Sequence, residues 1–142
     1  MLVIAGGDLV LPDRVAANAS LIVDRNRIAA IDPRPRVDPA AATHVDATGC
    51  YVVPGFIDVY VHGVDGDDTL DDRDPIIRIA AKLPRYGVTA FCPTTVACPP
   101  TQLRAVLAQV TAAQGTRGAG SAHVLPAPLI SITGEPKLRE TS

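Results

Sequence analysis

The chain has 142 residues, of which 47% are hydrophobic, and its formal net charge is −2. This length accommodates one modest domain, or a small domain with part of a larger one, but a complete α/β barrel takes ~250 residues. Its arginines are scattered among aspartates and form no basic patch. The charge pattern therefore indicates neither nucleic acid nor an anionic membrane as a partner, whereas a small polar or anionic substrate stays open.

The three cysteines, Cys50, Cys92 and Cys98, show no C-x-x-C spacing. Their odd number and their spacing favour neither a disulfide framework nor a structural zinc site. The apolar start, Met1 to Ala5, lacks a basic region and meets two glycines too early for a signal peptide. No apolar run approaches the ~20 residues that span a bilayer. We therefore expect a cytoplasmic protein.

Short aliphatic runs separated by turn residues fill the first third of the chain. Gly6-Gly7 predicts a turn, and Asp24 to Arg27 predicts a tight hairpin, because Asn26 tolerates left-handed backbone. We expect these runs to form a small antiparallel sheet. The predicted strands are Leu2 to Ala5, Leu9 to Leu11, Ser20 to Val23 and Arg27 to Ile31.

The sequence pattern changes near Pro54-Gly55, which predicts a change of direction. Before it, the proline-rich residues 32–43 predict a surface connection, and extended structure resumes at Val45 to Ala47 and at Tyr51 to Val53. After it, strands alternate with helices. We therefore predict a first domain over residues 1–54 and a second over residues 55–142.

The second domain is predicted to be α/β with parallel strands joined by right-handed crossovers. Its first strand is compact and mainly apolar, as expected where both faces of a sheet are covered. Asp74-Pro75 predicts a helix start with Asp74 as N-cap, and Gly87 predicts its end. The three predicted strands of this domain are Phe56 to Val61, Val88 to Pro93, which ends at the proline, and Ala122 to Leu125. The second predicted helix is Leu103 to Val110.

His62 and the acidic loop Asp65-Gly66-Asp67-Asp68 follow the first strand of this domain. In α/β barrels the loops after the strands line one shared cavity. A neutral imidazole there can bind a divalent metal, which lowers the pKa of bound water to about 7 and so activates it toward an amide. Spacing alone favours a structural role in which His62 hydrogen-bonds the neighbouring loop. It also favours a solvated acidic run, since a calcium loop's glycine and glutamate positions are not met.

Two blocks carry a resemblance to a known family. Val53 to Gly63 resembles the first metal-binding strand of the amidohydrolase superfamily, which usually reads P-G-F-I-D-x-H-x-H-G. Gly87 to Thr95 resembles the second barrel strand of N-acetylglucosamine-6-phosphate deacetylases, and the resemblance runs from Met1 to about Ala127. It implies part of a composite β-sandwich followed by the opening strands and helices of a TIM-like (β/α) barrel, incomplete here.

The resemblance also implies chemistry. Its family hydrolyses the acetamide of an amino-sugar phosphate, using one or two divalent metals, zinc or similar, and His62 matches a metal ligand. Tyr60 stands where many relatives carry the first histidine of the pair, and it shares a strand face with His62. Pro128-Leu129-Ile130 replaces an H-L-E-like segment, and Glu135 is out of register. We therefore assign no catalytic or cofactor-binding residue, and His62 alone as a metal ligand.

The remaining candidates for chemistry have structural explanations. Cys92 and Cys98 are expected to be packed or loop thiols, and His44 and His123 to be structural or solvated. The hydroxyls of Thr94-Thr95 are expected to satisfy backbone groups.

As an isolated chain the protein is expected to be weakly active or inactive, and its open sheet edges favour self-association or a homo-oligomer. Two alternatives stay open. One is a non-catalytic interaction module that pairs its sheet with another chain, and the other is one half of a split enzyme that another polypeptide completes.

Overall fold

A computed structural model of the chain describes residues 1–32, 39–115, 120–126 and 129–130. They form a mixed α/β structure that is rich in strands. This structure divides into two compact units. The first unit lies within Met1–Pro54 and the second within Gly55–Ser142. In the described part, neither helix has the length and apolar content needed to cross a bilayer.

The first unit is one five-stranded sheet in the order β3-β2-β1-β4, with β5 also paired to β1. The strands β1 to β3 run antiparallel, which confirms the predicted small antiparallel sheet, and β4 and β5 are added to it parallel to β1. The strands are β1 (Leu2–Val10), β2 (Val15–Asp24), β3 (Arg27–Asp32), β4 (Thr43–Asp46) and β5 (Tyr51–Val52), with a 3-10 turn at Pro39–Ala41. Most of the predicted connection, residues 33–38, lies outside the described residues.

Two turn predictions in this unit have opposite outcomes. The hairpin is confirmed, since Arg25 and Asn26 have φ of 48° and 61° between β2 and β3. The turn at Gly6-Gly7 is wrong, because β1 runs through both glycines with a shifted register. Gly6 has a φ of 81°, which glycine adopts at low cost, so the strand bends there without ending.

In the second unit, the central strand β9 pairs with β6, β10 and β11, and all of these pairs are parallel. Helices separate the strands in sequence, which confirms the alternating order. The elements are β6 (Phe56–Val61), β7 (Gly63–Val64), β8 (Asp67–Asp68), α1 (Pro75–Lys82) continued by a 3-10 turn (Leu83–Tyr86), β9 (Val88–Thr95), α2 (Pro100–Ala113), β10 (His123–Val124) and β11 (Leu129–Ile130).

Local signals set most of the ends of these elements. Helix α1 begins at Pro75, but Asp74 makes no capping hydrogen bond through its side chain and has a φ of 55°. Gly87 ends the following 3-10 turn at a φ of 75°, as predicted. Pro93 does not end β9, which continues to Thr95. The strand tolerates this proline because the β6–β9 ladder is already irregular where Val61 faces Pro93.

The core of the second unit forms around β9, whose Phe91 is fully buried. Helices α1 and α2 cover it with Ile79 and Val110, which are 0% and 1% exposed. Burial of these side chains is the main source of the unit's stability.

Strand β6 is exposed, which contradicts the prediction that both of its faces are covered. Phe56, Ile57, Val59 and Tyr60 are 52–65% exposed, and only Val61 is buried. No described helix or strand covers the faces of β6 from which these side chains project, and β6 also pairs with β9 alone among the described strands.

Candidate functional site

His62 lies directly after β6, at the carboxyl end of the strand, and its side chain is exposed. It lines an open depression of about 290 Å³ together with Asp58, Tyr60 and Tyr86. Apolar side chains, among them Leu83, form the rest of the wall. The depression therefore combines an imidazole, a carboxylate and two phenols over an apolar base.

Tyr60 and His62 lie side by side, as their spacing on the strand predicts. Their ring centroids are 6.1 Å apart and the planes meet at 89°, an edge-to-face arrangement. The backbone N–H of Tyr60 donates to Oδ1 of Asp58 at 2.9 Å. This bond satisfies a backbone donor that lies outside the regular β6–β9 ladder.

The loop after His62 is a small hairpin, whereas the acidic run predicted a solvated loop. Strands β7 and β8 pair antiparallel around Asp65-Gly66, whose φ values are 49° and 82°. Two consecutive positive φ values define the two-residue turn that Asp-Gly favours. The Asp65-Gly66 dipeptide is therefore the sequence signal for this hairpin.

Ion pairs attach this hairpin to α1. Asp67 is only 14% exposed at its side chain, where it meets Lys82 at 2.8 Å and Arg78 at 2.9 Å. Arg78 also lies 3.8 Å from Asp71 and donates to the backbone carbonyls of Asp72 and Arg73. Since Arg78 and Lys82 are one helical turn apart, one face of α1 holds the whole loop.

A second set of contacts attaches the tip of the hairpin. The Tyr86 hydroxyl donates to Oδ1 of Asp65 at 2.7 Å, and Lys82 Nζ donates to the backbone carbonyl of Asp65 at 3.0 Å. The hydrogen bond to the Asp65 carboxylate raises the pKa of Tyr86, because ionisation of the phenol would place two negative charges together. Tyr86 therefore serves as a hydrogen-bond donor at the rim of the depression.

Thr69, which the sequence analysis did not single out, joins the ends of two strands. Its backbone N–H donates to the carbonyl of His62 at 2.8 Å, and its hydroxyl donates to the carbonyl of Thr94 at 2.8 Å. The residue is fully buried. No local pattern marks such a residue, because its partners are distant in sequence.

The two threonines at the end of β9 differ from each other. Thr94 donates to the carbonyl of Cys92 at 3.3 Å, which confirms its predicted role. The hydroxyl of Thr95 is buried and has no hydrogen-bond partner among the described residues, so the same prediction is wrong for Thr95.

A metal centre requires several ligands, and the described residues do not provide them. No group of three His, Cys, Asp or Glu residues in the described ranges is placed to hold an ion. Cys92 is buried and Cys98 is half-buried, as expected for packed or loop thiols, and His44 lies on β4 in the first unit. Glu135 lies outside the described residues. The described residues therefore do not assemble a complete metal site.

Replacing Asp67 with asparagine should remove the pH dependence that this carboxylate gives to stability. Lys82, and then Arg78, hold the pKa of Asp67 below its ordinary value of 3.8. The Asp67 carboxylate therefore stabilises the folded state at pH values above 3.8, which is its pKa in the unfolded chain. This stabilisation is lost as the pH falls through the lower pKa that Asp67 has in the folded state. Asp67→Asn should melt at a lower temperature than wild type at neutral pH, and the difference should vanish in strong acid.

The measurement is a series of thermal melts, followed by circular dichroism, from neutral pH to strong acid. Asp13→Asn is the matched control, because Asp13 forms an exposed ion pair with Arg14 and such pairs contribute little. A constant difference between wild type and Asp67→Asn at all pH values would contradict the role of the charge.

Comparison with known proteins shows what this chain is similar to in fold and in sequence. No family model matches the sequence. A solved N-acetylglucosamine-6-phosphate deacetylase from Pasteurella multocida superposes with a TM-score of 0.68 at 22% identity, covering 78% of this chain and 30% of that chain. A D-hydantoinase from Bacillus sp. AR9 superposes with a TM-score of 0.53 at 29% identity, covering 82% and 25%. The structural neighbours are thus amidohydrolase-family proteins.

Curated relatives give a more specific result. The chain is 40% identical over 92 residues to the N-acetylglucosamine-6-phosphate deacetylase of Rattus norvegicus, covering 61% of this chain and 22% of that protein. It is 36% identical over 99 residues to the N-acetylgalactosamine-6-phosphate deacetylase of Escherichia coli O157:H7, covering 69% and 24%. The resemblance to these sugar-phosphate deacetylases is therefore confirmed, and the chain spans less than a quarter of the length of either relative.

Proposed function

We propose that the chain forms the first part of a hydrolase that removes the acetyl group from N-acetylglucosamine 6-phosphate or a closely related amino-sugar phosphate. The observation that carries this proposal is the 40% identity over 92 residues with the rat deacetylase. The relative from Escherichia coli is named for the galactosamine isomer, so the proposed substrate class is the N-acetylhexosamine 6-phosphates.

We further propose that residues 1–54 are a portion of a β-sandwich and that residues 55–142 begin a TIM-like barrel. The order β6, α1, β9, α2, β10 with parallel pairing supports this assignment. His62 and Thr94 lie at the carboxyl ends of adjacent strands, the end of a barrel at which substrates bind. The cytoplasmic location stays a prediction.

Within this proposal His62 is one ligand of a divalent metal, zinc or similar, and it needs further ligands from elsewhere. A typical catalytic zinc has three protein ligands. Because the described residues bring no three ligands together, we derive no hydrolytic step from them and propose that the 142 residues alone are inactive or nearly so. A second polypeptide that completes the barrel is one source of the missing groups.

A chimera tests the proposed function. The matched segment of the rat deacetylase is replaced by the matching residues of this chain, and release of acetate from N-acetylglucosamine 6-phosphate is measured. We expect activity from the chimera and none from the 142-residue chain or from the rat protein without its segment. A folded but inactive chimera would contradict the proposal, and turnover by the 142-residue chain would contradict its incompleteness.

The same chimera tests His62 as a ligand through its affinity for zinc. Mutation of a group that merely supports a metal ligand typically costs about 10–100-fold in metal affinity, so loss of a direct ligand should cost at least ~100-fold. His62→Gln should show this loss, whereas His44→Gln, on β4 of the first unit, should bind as tightly as the parent chimera. Equal affinity in both variants would show that His62 is no ligand.

A non-catalytic interaction module is the second candidate, and one observation favours it. Strand β6 presents Phe56, Ile57, Val59 and Tyr60 to solvent along an edge that no described strand covers. Open edges of this kind pair with other chains. Size-exclusion chromatography separates the candidates, because an interaction module forms a defined oligomer.

A further inference from the structure

The β6–β9 ladder weakens where the candidate site begins. Its last paired residues are Val61 and Pro93, after an irregularity that starts at Asp58. Proline has no backbone N–H, so it cannot donate to a ladder at this point. Something other than regular pairing must therefore hold the end of β6, and with it His62, beside the end of β9.

Thr69 supplies the missing connection. Its N–H bonds the carbonyl of His62 and its hydroxyl bonds the carbonyl of Thr94, each at 2.8 Å. Thr69 is 0% exposed, so water does not compete for either bond. A hydrogen bond is electrostatically stronger in such dry surroundings than in water. Loss of the donor would leave a buried carbonyl unsatisfied.

Thr69 is itself held from both sides. Before it, Asp67 is bound to Lys82 and Arg78 on α1. After it, the carbonyl of Leu70 accepts a hydrogen bond from Gln102 Nε2 on α2 at 3.1 Å. Both helices therefore position the segment that carries Thr69.

We propose that Thr69 is a positioning residue for His62: by bonding the carbonyls of His62 and Thr94, it fixes the imidazole relative to the end of β9. This inference rests on the proposed function only in giving His62 a role in the site. The physical effect is local, because a fixed His62 peptide fixes the direction in which the side chain leaves the backbone. The edge-to-face contact with Tyr60 reports that direction.

The test uses the 142-residue chain and the NMR signals of the carbon-bound imidazole protons, assigned by their loss in His62→Gln. Thr69→Val removes the hydroxyl but keeps the shape and the backbone N–H. We expect the His62 signals to shift or broaden in Thr69→Val, because the ring moves within the field of Tyr60. Thr69→Ser restores the hydroxyl and should restore the wild-type signals.

Thr111→Val is the matched control. The Thr111 hydroxyl also donates to a backbone carbonyl at 2.8 Å, that of Leu107, but on the exposed side of α2. This variant should leave the His62 signals unchanged. Unchanged signals in Thr69→Val, or an equal shift in Thr69→Ser and Thr69→Val, would overturn the proposal.

A measurement on the wild-type chain covers the case in which Thr69→Val does not fold. The amide of Thr69 should exchange with solvent as slowly as the amides of β9, since its N–H is buried and bonded. Exchange as fast as that of exposed loop amides would overturn the proposal. Neither experiment includes metal or substrate, so an inactive chimera would contradict the proposed function and leave this inference standing.

Discussion

Phe91→Ala is expected to lower the free energy of unfolding of the second unit by about 3–5 kcal/mol, the usual cost of truncating a buried phenylalanine. Phe91 is 0% exposed in the middle of β9, where it contributes to the core shared with α1 and α2. A domain is typically stable by only about 5–15 kcal/mol. The variant should therefore be largely unfolded in modest denaturant, as followed by circular dichroism during urea titration.

The chain offers a matched control, because its other phenylalanine lies on the neighbouring strand. Phe56 on β6 is 57% exposed, so Phe56→Ala should change stability by no more than about 0.5 kcal/mol. Both titrations are run at several protein concentrations. A large, concentration-dependent loss in Phe56→Ala would show that the β6 face is buried between chains in solution.

Local signals explain which parts of the fold were predictable. Pro75 and Gly87 bound the first helical segment as predicted, since the missing N–H of one and the positive φ of the other act within a single turn. The exposure of β6 was not predictable, because a run of apolar residues reads the same whether a second strand covers it or not. The turn predicted at Gly6 was wrong for a related reason, since glycine permits both a turn and a bulge within a strand.

The candidate site was predictable in the same uneven way. The position of His62 at a strand end follows from the apolar run before it, and its proposed role came from ordered blocks shared with a family. Thr69 could not be predicted, because it is 25 residues from Thr94 along the chain and only the fold brings them together. The hairpin at Asp65-Gly66 could have been predicted from the sequence, since the Asp-Gly dipeptide is a strong turn signal.

Charge on β6 should decide whether the strand serves as an interaction surface. Val59 is 65% exposed, and β6 contains no proline to prevent strand pairing. The opposite edge of this sheet is less suited to pairing, since β10 ends at Val124 and Pro126 follows soon after it. If the interaction module is correct, β6 pairs with β6 of a second copy, and Val59→Lys converts a defined oligomer into a monomer.

Size-exclusion chromatography with light scattering, over a range of concentrations, provides the measurement. Ile28→Lys is the matched control, because Ile28 is 66% exposed on β3, an outer strand of the other sheet, and the substitution introduces the same charge. Dissociation by Val59→Lys alone assigns the contact to β6. A wild-type chain that is monomeric at every concentration contradicts the module, and the exposed apolar strand then accords with a barrel that further residues complete.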